Sequence, residues 1–196
     1  MHTATKMATK KPKKQGFAVE IAVPQGVSAE LKQEGDFAVL VLKKGAVQNK
    51  RTFDTKQVKI KVDAGKFVLS APKEDKRNKK VMGTFSAHVK NMLSGLESPH
   101  VYKLKICAGH FPMQVTLSGA VFTIKNFLGE SVPRTLQIKE GAKVKISGTE
   151  IVVESSDIEI ASQAAASIES LSRVRNKDSR IFQDGIYIVE KDGKPI

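Results

Sequence analysis

An internal repeat of sequence pattern constrains the fold of this chain more than any other feature. When the sequence is shifted by 84 positions (119 minus 35), Gly35 falls on Gly119 and Gly45 falls on Gly129. Under the same shift, residues 59–62 fall on 143–146 with the same alternation of lysine and apolar side chains, and the apolar residues 67–69 fall on the apolar residues 151–153. Few residues are identical, but a conserved order of patterns indicates two copies of one folding unit.

Each half offers strands first and a helix afterwards. In the first half, Val58, Ile60 and Val62 alternate with polar residues as in a half-buried strand, and residues 37–43 form the continuous apolar run of a well-covered strand. The period then changes, since apolar side chains recur every four residues from Val81 to Leu93, which predicts a helix lying on a sheet.

The second half repeats this plan. Alternation in residues 102–106 and 113–117 predicts strands, and Ser156 with Glu159 has the spacing of a capping box that opens a helix. Gly95 and Pro99 predict a boundary between the halves. We therefore predict an α+β protein with two similar domains from internal duplication, residues 16–97 and 98–196, each an antiparallel sheet with a helix packed on one face. Residues 1–15 are expected to form a basic, flexible leader.

The charge of the chain points to a polyanionic partner. Lys and Arg number 33 against 20 Asp and Glu, which gives a net charge of +13. Neutralising phosphates with such cations releases counterions and drives binding to nucleic acid. The alternative is a basic but otherwise ordinary soluble protein, because charge alone does not name a partner.

Cysteine content and hydropathy set the expected compartment. Cys107 is the single cysteine, so an intrachain disulfide and a Cys-based metal cluster are excluded, as expected in a reducing compartment. The first 16 residues carry lysines without an apolar core, and the apolar run of residues 37–42 is too short to span a bilayer. We predict a cytoplasmic protein without a membrane partner. Met7 is an alternative start.

An enzymatic function finds little support. Cys107 and His110 are three residues apart, but neither a nucleophile with its base and orienting group nor a zinc ligand set can be assembled from sequence. Cys107 ends an alternating strand, which favours a buried structural thiol. No phosphate-binding or metalloprotease motif occurs. We therefore predict no catalytic residue, no cofactor and no metal site.

Two groups of cations flank the predicted helices. Lys73, Lys76, Arg77, Lys79 and Lys80 crowd the entrance to the first helix, where they oppose its dipole unless phosphate is near. They could equally be a solvated loop. Arginines dominate after the second helix and can grip phosphate with two parallel hydrogen bonds. The alternative is that they complement the helix C-terminal dipole.

The stretch from Asn176 to Tyr187 combines basic, acidic, aromatic and glycine residues. Asp178 and Asp184 could orient guanidinium groups or accept from the N–H groups of bases. Gly185 could let backbone approach RNA while Tyr187 stacks, although Tyr187 could also belong to the core. Aromatic residues make up only 6% of the chain and Trp is absent, which favours recognition of folded RNA by shape and phosphate over single-strand stacking.

These motifs resemble one protein family. Residues 176–187, His110-Phe111-Pro112, residues 126–130 and residues 86–92 are similar, in order, to the archaeal and eukaryotic branch of large-subunit ribosomal protein six, the universal L6 family. The resemblance spans nearly the whole chain after Gly16, whereas the lysine-rich leader departs from it. It implies two duplicated α+β domains and binding to large-subunit rRNA near the sarcin–ricin loop and the site of translation GTPases.

The expected partners are large-subunit rRNA, neighbouring ribosomal proteins and, close by, the GTPase factors, within the cytoplasmic ribosome. A general nucleic-acid chaperone or DNA-coating protein is the alternative, and an enzyme using Cys107 and His110 is a further rival. The candidate rRNA-binding residues are Arg173, Arg175, Asn176, Lys177, Arg180, Asp184, Gly185, Tyr187, Lys73, Lys76, Arg77, Lys79, Lys80, Asn126 and Arg134.

Overall fold

The structure, a computed structural model, describes residues 17–63, 65–73, 75–178 and 180–196. The predicted leader, residues 1–15, lies outside the described residues. The elements of the first half are β1 (Phe17–Ala22), β2 (Ser28–Glu34), β3 (Phe37–Lys44), β4 (Val47–Asp54), β5 (Lys59–Asp63), β6 (Lys66–Ala71) and α1 (Lys76–Glu97). Those of the second half are β7 (His100–Cys107), β8 (Gln114–Ser118), β9 (Val121–Lys125), a 3₁₀ turn (Phe127–Gly129), β10 (Arg134–Gln137), β11 (Lys143–Ser147), β12 (Glu150–Ser155), α2 (Ile158–Leu171), β13 (Gly185–Lys191) and β14 (Lys194–Pro195).

Each half builds a pair of antiparallel sheets. In the first half the strand orders are β1-β6-β5 and β2-β3-β4, and in the second they are β11-β12-β7-β13-β14 and β10-β9-β8. The pairing of β5 with β6 places Lys61 opposite Val68, and the pairing of β11 with β12 places Lys145 opposite Val152. These partners differ by the same 84 positions (145 minus 61), so the repeat predicted from sequence is present in the strand register.

The turns repeat as well. Gly35 joins β2 to β3 and Gly119 joins β8 to β9, and both glycines have a φ of 60°. A side chain at such a left-handed position is strained, which explains why glycine recurs at the same point of each copy. The predicted fold class is confirmed: the chain is α+β, and its two similar halves each contain antiparallel sheets and one helix.

Both helices bury the stripes that the sequence predicted. On α1, Met82, Phe85 and Val89 are buried, and the Phe85 ring meets Phe53 of β4 edge-on at 4.9 Å between centroids. On α2, small buried alanines and Ile168 pack toward β7, β12 and β13. The predicted capping box is wrong, because the N-cap of α2 is Asp157, whose side chain accepts a hydrogen bond from the Glu159 N–H.

The second half carries two strands, β13 and β14, without a counterpart in the described residues of the first half. Strand β13 pairs along β7, so β7 lies inside its sheet, whereas its counterpart β1 stands at an edge. Side chains from the end of α2 cover the other side of β13: Ser172 Oγ accepts from the Ile186 N–H at 2.8 Å, and Glu169 accepts from the Ile188 N–H at 3.1 Å. These bonds satisfy backbone groups that an open edge would expose.

By internal contacts the chain divides into two compact units. The first unit comprises the chain up to Val41 together with Lys50–Val89. The second unit comprises Leu42–Asn49 and Lys90–Ile196. Neither helix in the described part of the chain combines the length and the apolar content needed to cross a membrane.

Candidate nucleic-acid interface

The polypeptide that leaves α2 presents cations to solvent. Arg173, Arg175 and Lys177 are exposed, while Val174 between them is partly buried against the core of the second unit. Asn176, also exposed, adopts a left-handed φ of 57°, a conformation that asparagine tolerates better than most residues. The alternation of one anchored apolar side chain with exposed arginines fixes the backbone and leaves the guanidinium groups outside.

Asp178 orients the next arginine. The Arg180 side chain donates to both carboxylate oxygens of Asp178, at 2.7 to 3.2 Å, and its backbone N–H donates to Asp178 Oδ1 at 2.9 Å. The side-chain bond from Arg180 lowers the pKa of Asp178, and the same bond raises the pKa of Arg180. Because the Arg180 side chain remains 88% exposed, this pair presents a planar donor group at the surface with its direction already set.

Asp184 is a buried anchor, 4% exposed. Its Oδ1 accepts from the backbone N–H groups of Gly109 and His110, and its Oδ2 meets His110 Nδ1. Burial by itself raises the pKa of Asp184, but these hydrogen bonds outweigh it and hold the pKa below the ordinary aspartate value. Asp184 therefore ties the C-terminal segment to the loop after β7.

A stack of side chains runs outward from this anchor. The His110 ring stacks on the Phe182 ring with 4.8 Å between centroids and an interplanar angle of 30°. The Lys177 ammonium lies 4.6 Å from the Phe182 centroid, within the range of a cation–π interaction. The sequence missed His110 and Phe182 as supports of the site. The sequence does show Gly109 and His110 directly after the end of a strand, but only the fold brings these two residues into contact with Asp184.

Gly185 lies directly against the ring of Tyr187. A Cβ built on Gly185 would lie 3.1 Å from Tyr187 Cζ and Oη, so the ring rests against bare backbone. The Tyr187 hydroxyl donates to the Gln183 carbonyl at 3.1 Å, and the side chain is 42% exposed. Partial burial, followed by the nearby Cys107 and Asp184, raises the pKa of Tyr187. The ring is fixed at the surface and is not part of the core.

A cleft of about 610 Å³ opens beside this network, lined by Cys107, Ala108, Gly109, His110, Ile181, Gln183, Asp184 and Tyr187. Cys107 is partly exposed, so its thiol is less deeply buried than the sequence predicted. Among the described residues, no hydrogen bond joins Cys107 to His110, and no three His, Cys, Asp or Glu side chains form a group that could hold a metal ion.

Arg134 serves the protein itself. It donates to both carboxylate oxygens of Glu130, at 2.6 and 2.8 Å, and to the carbonyls of Leu171 and Arg173, at 2.8 and 3.1 Å. Its guanidinium also lies 4.2 Å from the Phe127 centroid. These bonds occupy most of its N–H groups and satisfy a carbonyl at the C-terminal end of α2. Arg134 thus supports the start of the cationic segment, and its contact with RNA stays a prediction.

Asn126 is exposed and turns the chain after β9. It has a φ of 56°, and its side-chain amide donates to the Pro112 carbonyl at 3.0 Å. Leu128 in the same turn also has a positive φ, of 48°, which is costly for a branched residue. The Phe111 ring lies against Gly129, at 3.7 Å from the position of an added Cβ. Asn126 thus links two loops that resemble the family, residues 110–112 and residues 126–130.

The cations of the first unit lie at the start of α1. The first turn of α1 contains no acidic residue. Asn78 provides one local link, since its amide donates to the Lys73 carbonyl at 2.9 Å. All five predicted cations of this cluster are exposed: Lys73, Lys76, Arg77, Lys79 and Lys80.

Comparison with known proteins identifies the family. The family model described as Ribosomal protein L6 matches residues 111–185. The chain is 41% identical to the large ribosomal subunit protein uL6 of Methanococcus vannielii over 89% of this chain and 94% of that protein. It is 43% identical to the uL6 of Methanosarcina mazei over 89% and 97%, and 35% identical to that of Haloarcula marismortui over 90% and 97%. With such likeness along nearly its whole length, this chain belongs to the ribosomal protein L6 family.

Proposed function

We propose that this protein is a structural, non-catalytic component of the large ribosomal subunit in the cytoplasm, and that it binds folded large-subunit rRNA. The observation that carries the proposal is the segment from Arg173 to Tyr187, which exposes four cations. In this segment Asp178 holds Arg180, the Phe182 ring contacts Lys177, and buried Asp184 anchors the backbone. The names of the relatives and the net charge of +13 support the same conclusion.

Within this proposal the residues have two roles. Arg173, Arg175, Lys177 and Arg180 contact phosphate, because exposed guanidinium and ammonium groups make charge-assisted bonds to phosphate oxygens. Buried Asp184 positions the segment from beneath. The Lys73 to Lys80 cluster adds a second cationic surface whose lysines attract phosphate without fixing its orientation.

The location on the ribosome follows from the family resemblance. We propose that the bound rRNA lies near the sarcin–ricin loop, with translation GTPases docking close by and other ribosomal proteins as neighbours. Hydroxyl radical cleavage from iron tethered at position 175 of reconstituted subunits tests this location, since cuts should cluster around that loop. Cuts confined to distant rRNA domains would refute the location while leaving rRNA binding intact.

The binding proposal is tested with charge-matched variants. Replacing Arg173, Arg175 and Arg180 together by alanine should weaken binding to large-subunit rRNA roughly tenfold or more, because three phosphate contacts are lost. The control replaces Lys32, Lys59 and Lys61, which are exposed on strands of the first unit. It removes the same charge and should cost much less. Filter binding measures affinity, and circular dichroism melts show whether both triple variants stay folded. Equal losses of affinity in the two triple variants would mean that the protein attracts rRNA only through its overall charge.

Salt and competitor DNA distinguish specific rRNA binding from general nucleic-acid binding. If about eight phosphates are contacted, affinity should fall roughly 10³- to 10⁵-fold between 50 and 200 mM salt. A dedicated ribosomal protein should keep its preference for the rRNA over random duplex DNA across this range. Equal affinity for both would favour a general nucleic-acid chaperone or DNA-coating protein.

A further inference from the structure

The cleft beside Asp184 has the composition of a site for a neutral planar group. Its volume of about 610 Å³ lies within the range of small-molecule sites. None of the residues that line it is a lysine or an arginine, and Asp184 contributes a carboxylate. Phosphate is therefore a poor occupant of the cleft, even though cations precede it in the chain at Lys177 and Arg180.

Two exposed apolar side chains line this cleft. Ile181 is 64% exposed and Tyr187 is 42% exposed, which places both among the large hydrophobic residues that contact water. The Tyr187 ring is held on one side by Gly185 and at its hydroxyl by the Gln183 carbonyl. A fixed ring with exposed surface suits stacking, because little side-chain entropy is lost when a flat partner binds.

Polar groups at the same cleft suit the edge of a base. His110 Nδ1 is engaged by Asp184, so Nε2 is the ring nitrogen left for another partner. The Gln183 amide donates to the Arg180 carbonyl at 3.3 Å and retains its oxygen as an acceptor. Bases splayed out of folded RNA are recognised by stacking on a ring combined with hydrogen bonds to their edges.

We propose that this cleft binds one unstacked nucleobase of the rRNA, stacked on Tyr187 beside Ile181 with its polar edge toward His110 and Gln183. The inference rests on the proposed function, since the cations of residues 173–180 hold the phosphates that flank this base. It adds a base-reading site to a surface otherwise built for phosphate. Purines fit best because they offer the larger stacking area.

The first test isolates the base from the phosphate. The full-length protein is titrated with adenosine 5′-monophosphate and, in parallel, with ribose 5-phosphate, while NMR follows the ring signals of Tyr187 and His110. The nucleotide should shift both rings in a saturable manner at millimolar concentrations, and the sugar phosphate should not. Equal shifts with both ligands, or no shift with the nucleotide, would overturn the proposal.

The second test uses rRNA itself. Tyr187→Leu should weaken binding to large-subunit rRNA by roughly 5- to 150-fold, the range for loss of one base–aromatic stack. Tyr187→Phe keeps the stacking ring and loses only the hydroxyl bond to Gln183, so it should lose much less affinity than the leucine variant. Matching melting curves establish that both variants fold. Undiminished binding by the leucine variant refutes the base site, whereas the arginine triple variant tests the wider rRNA proposal independently.

Discussion

The two cationic regions of this molecule are assembled in opposite ways. At the start of α1, Lys73 just before the helix and three lysines with Arg77 on its first turns are exposed, and the first turn contains no acidic residue. After α2, arginines alternate with side chains that anchor the backbone, and Asp178 holds Arg180 through both carboxylate oxygens. The first arrangement supplies charge, and the second supplies charge with direction. Lysines on flexible stems suit attraction to phosphate, whereas fixed guanidinium groups suit one defined docking geometry.

The duplication makes this contrast instructive. Both regions are adjacent to the helix of one copy, yet only the second copy has β13, which fixes the cationic segment at its far end. The segment between α2 and β13 is therefore held at both ends. We infer that rigidity, more than the number of cations, distinguishes the two regions.

Removing the anchor should have the largest effect. Asp184→Ala removes a buried carboxylate and leaves the N–H groups of Gly109 and His110 without their acceptor, so the free energy of unfolding should fall by about 2–4 kcal/mol. Asp178→Ala removes an exposed carboxylate and should change stability by about 0.5 kcal/mol or less. Urea unfolding of both variants measures the difference. A small loss in the Asp184 variant would show that the segment is not held from below.

The same anchor gives a pH dependence with a defined sign. The folded-state pKa of Asp184 lies below its unfolded value of about 3.9, so its stabilisation is present above that value and is lost as pH falls through the folded pKa. The stability gap between the original protein and Asp184→Asn should therefore shrink in acid. A gap that stays constant down to about pH 2 would contradict this role.

Two glycine substitutions should act in opposite directions. Gly185→Ala places a methyl group 3.1 Å from the Tyr187 ring and should destabilise the second unit by about 1 kcal/mol as the ring moves. Gly83→Ala lies on the exposed side of α1 with open space around it and should stabilise by about 0.5–1 kcal/mol. Thermal melts compare them. Effects of the same sign would remove the structural reason for glycine next to Tyr187.

The smallest effect is expected at the start of α1. Lys76→Glu replaces a cation at the helix N-terminus by an anion, which the helix dipole favours by a few tenths of a kcal/mol. The same change should weaken rRNA binding, so that stability and affinity move in opposite directions. Melts and filter binding with one preparation measure both. If stability falls together with affinity, Lys76 has a structural role in the first unit.

Most of the fold could be predicted because it depends on local patterns. Alternation defined the strands around Ile60 and Tyr102, the four-residue period defined α1, and recurring glycines revealed the duplication. Which of two neighbouring residues caps a helix was harder to predict. Ser156 has capping-box spacing with Glu159, but Asp157 is the actual cap, since either side chain can accept from the first turn.

The candidate interface could be located from sequence, but the roles of its residues could not be assigned. Arg134 and Asp184 have the same residue types as surface contacts, and only their partners show that they support the protein from within. Likewise, nothing in the spacing of Cys107 showed that its thiol would line a cleft.

The amino-acid sequence by itself determined the duplicated α+β plan, the family and the stretch of chain that carries the cations, because each depends on residue order and composition. The tertiary structure decided which charged groups face solvent and which are anchors. Residues 110 and 184 are 74 positions apart, and their meeting depends on β13 pairing with β7. A contact of that kind is set by strand order and register, which local patterns do not encode.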